Sequence, residues 1–151
     1  TRQLTRKLRA FGAQRGALIA GEDAATDASV GLGKAMAREF PGLEGMDLAT
    51  EVTVAQAYRW AEGEWNRGFG YRRPDGPAKW RIVANDFGIK RNFLRLLVGE
   101  GCDVTVVPAQ TSAKSVLILR PVGVFIYNGP GDPETIGDAL RSISDLALIN
   151  L

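Results

Sequence analysis

The sequence predicts an α/β fold built on a parallel sheet, and three observations carry that expectation. Apolar runs of strand length alternate with helical patterns from residue 80 onward. The runs are near-continuous in apolar residues, as strands covered on both faces are. Glycine and proline clusters separate them, and no stretch approaches the roughly 20 apolar residues that span a bilayer.

The elements follow in order. Leu4, Leu8 and Phe11 fall on one face of a helix over residues 1–11, with Arg2, Arg6, Lys7 and Arg9 elsewhere and Gly12 as its stop. Those cations are read as a solvated face. Gly16 to Ala20 is short and apolar, which predicts a buried strand. A second helix follows, carrying Leu32, Met36 and Phe40 and ended by Pro41-Gly42. From Gly42 to Trp65 no period persists, so short irregular pieces are expected, with Tyr58, Trp60 and Trp65 as core aromatics. Residues 66–79 concentrate Gly68, Gly70, Gly76, Pro74 and Pro77 with Arg67, Arg72 and Arg73, a linker composition that sets a domain boundary there.

The rest repeats a strand-helix rhythm. Arg81 to Ala84 predicts the first strand, and Ile89, Phe93, Leu94 and Leu97 a helix closed by Gly99 and Gly101. Asp103 to Val107 predicts the second strand, Ser112 to Leu119 a short helix, and Val122 to Tyr127 the third strand. A last helix carries Ile136, Leu140 and Ile143. Ligands of such sheets bind beyond the carboxyl ends of the strands. The loop there is Asn128-Gly129-Pro130-Gly131-Asp132-Pro133, with Asp132 expected as N-cap and Pro133 as first helical residue. Two glycines allow close approach of a ligand and can aim amide groups at a carboxylate or an oxyanion. A plain tight connection would have the same composition. The loop lacks the Gly-Lys-Ser/Thr ending and the G-x-G-x-x-G spacing of nucleotide sites.

Composition excludes much chemistry. The 151 residues contain one Cys and no His, so this chain alone builds no Ser-His-Asp or Cys-His system and no His-ligated metal site. Cys102 precedes the second strand, away from the carboxyl ends, and is read as structural. It has no cysteine partner, which fits a reducing compartment, with the cytoplasm as the default. The formal net charge of +2 is too small and too dispersed to imply a nucleic acid, and no membrane segment is expected. Thr1 looks like the interior of a helix, so an internal fragment is expected.

Asp86-Phe87-Gly88 with Lys90-Arg91-Asn92, Gly101-Cys102, Val107 to Ala113, Gly123-Val124-Phe125 and Asn128 to Pro133 together resemble the small subunit of glutamine-dependent carbamoyl phosphate synthetase. Thr1-Arg2, Leu4-Thr5-Arg6, Leu8-Arg9, Gly12-Ala13 and Phe40 to Leu48 resemble the end of that subunit's N-terminal domain. The resemblance implies three segments. Residues 1–65 form the C-terminal part of an N-terminal α+β domain, 66–79 a linker, and 80–151 the first half of a class I glutamine amidotransferase domain, a flavodoxin-like three-layer fold.

It also implies a glutaminase that passes ammonia through a tunnel to a large synthetase subunit, for pyrimidine and arginine synthesis. The implied partners are glutamine and that large subunit. ATP and Mg would be used by the large subunit, with no cofactor in this chain. Backbone at Gly129 and Gly131 would contact the substrate glutamine. The nucleophilic cysteine, the histidine and the glutamate would lie beyond Leu151, leaving this chain without a catalytic residue and inactive alone. Tyr127 stands where a small residue, usually serine, is expected, Asn85 where an apolar or aromatic one is, and Val122 where aspartate is common. These departures keep open a noncatalytic interaction module of the same scaffold, or a glutaminase serving another synthetase.

Overall fold

The computed structural model describes residues 2–12, 14–72, 75–132, 134 and 136–148. It divides into two compact units, residues 1–44 and 45–151.

The first unit holds two helices, α1 (Arg2–Phe11) and α2 (Asp27–Glu39). Thr26 caps α2 by accepting from the Ser29 N–H, and Phe40 ends it. Neither helix buries a side chain, and Leu4, Leu8 and Phe11 of α1 are exposed with its cations. The strand expected at Gly16 to Ala20 does not form. Leu18 is 95% exposed, and Ile19 instead lies over Gly33 of α2, its Cδ1 3.1 Å from where a Cβ would stand. An apolar run becomes a strand only by pairing, and here among the described residues no strand lies beside it.

The second unit contains α3 (Leu48–Val52), β1 (Tyr58–Trp60), β2 (Trp65–Asn66), β3 (Gly70–Tyr71), β4 (Trp80–Asp86), α4 (Arg91–Gly99), β5 (Cys102–Pro108), α5 (Ala113–Ile118), β6 (Gly123–Ile126) and α6 (Gly137–Ala147). Its main sheet has the order β1-β5-β4-β6, with β4 parallel to β5 and β6 and β1 antiparallel to β5. The parallel α/β expectation is thus met at β4, β5 and β6, each within two residues of its predicted bounds.

Two layers of side chains cover the sheet. Ala84, Val104 and Val106 face Leu94 and Val98 of α4. Val83 and Val107 face Val116 of α5 and Leu146 of α6. Alternation along each strand sends neighbouring residues to opposite layers, which is why these strands read as unbroken apolar runs.

Two features depart from the expected boundaries. Residues 45–65, expected with the N-terminal segment, lie in the second unit, where β1 completes the sheet by pairing Tyr58 with Val106 and Trp60 with Val104. A free β5 edge exposes unpaired backbone groups, and β1 satisfies them. The expected linker carries the β2-β3 hairpin, fastened to α4 by Arg95, which pairs with Glu62 at 2.6 Å and stacks over Tyr71 at 3.9 Å. Arg73 and Pro74 of that linker lie outside the described residues. Of the three expected core aromatics only Trp60 packs against the core; Trp65 is 60% exposed and Tyr58 lies at the surface.

Candidate functional site

The strand order reverses at β4, since the chain passes from β4 outward to β5 and then back across to β6. Side chains and backbone beyond the carboxyl ends of β4 and β6 therefore leave a crevice. A cavity of about 410 Å³ occupies it, lined by Phe87 after β4, Ile126 at the end of β6 and Tyr127 to Asp132 after it, Ala49 of α3, and Ile136 and Ile143 on the α6 side. Both sequence-predicted site residues, Gly129 and Gly131, are in its wall.

The loop after β4 is organised by a buried carboxylate. Asp86 is 4% exposed, and its Oδ1 accepts from the N–H groups of Gly88 at 2.9 Å and Ile89 at 2.8 Å. Its Oδ2 accepts from Val54 N–H at 2.9 Å. Three amide donors to one carboxylate satisfy its charge without a cation. They also tie the β4 loop to the segment that leaves α3. Thr53 adds a second tie, its Oγ1 accepting from Ala109 N–H at 2.9 Å.

The glycine loop lies against that same segment. A Cβ on Gly129 would stand 2.8 Å from the Phe87 carbonyl oxygen and 2.9 Å from the Phe87 Cβ. A Cβ on Gly131 would stand 2.5 Å from the Met46 carbonyl oxygen and 3.0 Å from the Leu48 nitrogen, and Gly131 has φ +90. Both positions thus require glycine for packing, and Gly131 requires it for backbone conformation too. Asp132 N–H donates to the Met46 carbonyl at 3.0 Å, and Asp132 Oδ2 accepts from Gly45 N–H at 2.9 Å. No acceptor among the described residues takes the N–H of Gly129 or Gly131. The loop can therefore present two amide donors to a ligand, the arrangement that stabilises an oxyanion or a carbonyl oxygen.

Asp132 is not the N-cap of the last helix. That helix begins at Gly137 after Ile136, and the Asp132 Oδ1 accepts from Glu134 N–H at 3.0 Å in a local turn. The carboxylate is committed instead to holding the loop on Gly45, and the Gly45 amide, then the Glu134 amide, keep its pKa below the usual value. Pro133, expected as the first helical residue, lies outside the described residues.

Cys102 begins β5 at the amino end of the sheet, the end opposite the cavity, and is 7% exposed. Burial, with a smaller contribution from Glu100, pushes its thiol pKa up. Such a thiol is a poor nucleophile. Among the described residues no cluster of His, Cys, Asp or Glu suits a metal ion, and no helix is long and apolar enough to cross a membrane.

Sequence reasoning missed the segment 45–54, which supplies Ala49 to the cavity wall and anchors the glycine loop through Gly45 and Met46. The acidic residue directly before Phe87-Gly88 was a legible signal, since Asp commonly binds the backbone two residues on. Its third partner, Val54, lies 32 residues away and left no local trace.

Residues 83–150 match the class-I glutamine amidotransferase family. Over nearly its whole length the chain is also similar to carbamoyl phosphate synthase small chains. It is 52% identical to that of Thioalkalivibrio sulfidiphilus over 146 residues, covering 97% of this chain and 37% of the relative. It is 54% identical to that of Vibrio parahaemolyticus over 144 residues, covering 94% and 37%. With that of Escherichia coli it shares 51% over 145 residues, covering 95% and 37%. The chain thus spans a little over a third of the length of these relatives. On this similarity, and on the parallel sheet with its glycine loop, the chain belongs to the carbamoyl phosphate synthase small-chain family and carries class-I glutamine amidotransferase sequence in its second unit.

Proposed function

We propose that this chain serves the glutaminase half-reaction of carbamoyl phosphate synthesis, and that its part is to hold glutamine at the loop from Asn128 to Asp132. What supports the reading is that Gly129 and Gly131 line a cavity at the strand-order reversal and that neither amide has an acceptor among the described residues. In this reading residues 1–65 correspond to the end of the small chain's N-terminal domain and 80–151 to the first half of its amidotransferase domain.

The chemistry divides between this chain and residues it does not contain. A thiolate attacks the carboxamide carbon of glutamine, and ammonia leaves with a proton from an imidazolium. Water then cleaves the thioester, releasing glutamate and restoring the thiol. With no histidine and only the buried Cys102, these 151 residues supply neither group. The Gly129 and Gly131 amides would orient the substrate and stabilise the oxygen that gains charge. The ammonia would pass to a large subunit that uses ATP and Mg, in the cytoplasm.

The test is a glutamine hydrolysis assay on the full-length protein, with and without a carbamoyl phosphate synthase large subunit. Glutamate formed in equal amounts with ammonia, or with carbamoyl phosphate when the large subunit, ATP and bicarbonate are present, supports the reading. Failure to hydrolyse glutamine under both conditions refutes it and favours a noncatalytic interaction module. A second reading of that kind is favoured by Tyr127, a bulky side chain in the cavity wall.

A further inference from the structure

Tyr127 directly follows β6 and does two things at once. Its ring packs on Phe93, in the first turn of α4, with centroids 5.1 Å apart and planes 56° apart. Phe93 in turn packs on Phe125 at 6.0 Å. Yet Tyr127 also lines the cavity, two residues before Gly129. The other aromatic residue of the lining, Phe87, is 2% exposed and forms part of the core. The Tyr127 hydroxyl makes no hydrogen bond to a described residue. Phe93, itself 39% exposed, covers one side of the half-buried ring, and the ring also bounds the cavity.

We infer that the Tyr127 ring, fixed by Phe93, is a specificity wall beside the carboxamide end of the substrate and admits a primary carboxamide while rejecting an N-substituted one. This rests on the proposed glutamine site. If Gly129 and Gly131 hold the carboxamide oxygen, the group attached to the same carbon lies within the cavity that Tyr127 bounds. The amide nitrogen of glutamine carries only hydrogens, whereas an N-methyl group adds volume that a pinned ring cannot yield to. The work is done by the ring, and the hydroxyl is dispensable. Phe93 is a positioning residue that acts through Tyr127.

The experiment uses the full-length protein with its large subunit. It measures the inhibition constant of γ-N-methylglutamine against glutamine hydrolysis, divided by the KM for glutamine. One carbon in a fitted pocket is worth about tenfold or more in discrimination. Tyr127→Ser is expected to lower the ratio by about that factor, while Tyr127→Phe keeps it within about twofold. Phe93→Leu is expected to lower it part of the way and to add little on top of Tyr127→Ser, as coupled residues do. A general loss of folding would reduce turnover without moving this ratio, so the Tyr127→Phe protein and the ratio together keep the test sharp. An unchanged ratio in Tyr127→Ser overturns the inference and leaves the glutamine site standing, and so does an equal fall in Tyr127→Phe. Absence of glutamine hydrolysis by the unaltered protein overturns the glutamine site itself, and this inference with it.

Discussion

Gly45 and Asp132, 87 positions apart in sequence, are joined by a 2.9 Å hydrogen bond from the Gly45 amide to the Asp132 carboxylate. Since the Asp132 amide donates to Met46, the glycine loop and the segment before α3 are clamped by two bonds running in opposite directions. The clamp sets the position of the loop, and it makes that position depend on a titratable group.

The acid-side behaviour follows from that group. The Gly45 and Glu134 amides lower the folded-state pKa of Asp132. Its contribution to stability is present above the unfolded carboxylate value of about 3.9 and is lost as pH falls through the lower folded value. Urea midpoints of the wild type and Asp132→Asn should therefore differ at neutral pH and converge in acid. A difference that is constant across the range would mean the carboxylate charge has no part in the clamp.

Gly131 should tolerate no side chain. Gly131→Ala puts a methyl group 2.5 Å from the Met46 carbonyl oxygen at φ +90, and a cost of about 1–3 kcal/mol is expected. Gly137→Ala is the control, because a Cβ at Gly137 meets nothing within 4 Å and lies in a helix. It should stabilise by about 0.5 kcal/mol. Chemical denaturation of both variants measures the contrast, and equal effects would contradict the close packing of the loop on Met46.

Asn85 offers a route to higher stability. It is 2% exposed, and its Oδ1 has no hydrogen-bond partner among the described residues. Its pairing partners in the sheet are Val107 and Ile126. An unsatisfied buried oxygen costs about 1–3 kcal/mol, so Asn85→Leu, with the same number of heavy atoms and no polar group, should raise the denaturation midpoint. A lower midpoint would contradict a net cost for this oxygen in the folded protein.

Cys102 should be slow to alkylate. Its burial and raised pKa reduce both access and the thiolate fraction. Iodoacetamide at mildly alkaline pH should modify it at least about tenfold more slowly in the folded protein than in urea. Equal rates would place the amino end of β5 in contact with solvent.

What was legible in the sequence was whatever a local period or a turn residue encodes. The apolar runs of β4 and β5 bury residues on both faces, and β6 packs Phe125 against one layer and Val124 against the other, so composition alone marked them. The glycine loop was visible because two glycines flank a proline directly after a strand. The errors share one cause. Gly16 to Ala20 is apolar but has no partner strand, whereas the strand-favouring Tyr58 and Trp60 of β1 have the β5 edge to pair with. That pairing joins residues more than 40 positions apart, beyond the reach of any local pattern. The clamp from Gly45 to Asp132 and the third donor to Asp86 are likewise long-range, and no spacing rule reaches them. Asp132 looks like an N-cap because an Asp-Pro pair suits the start of a helix, whereas α6 starts at Gly137.

The antiparallel pairing of β1 with β5 also sets an order of events during synthesis. Arg59 and its partner Asp103 are 44 residues apart, and ribosomes add about 5–20 residues per second. Tyr58 to Trp60 must therefore wait roughly 2–9 s after leaving the ribosome before their partner strand exists. The edge of the finished sheet is among the first parts of the second unit to be made and among the later ones to find its place. In the interval Trp60 is without the cover that β5 and the core give it in the folded unit.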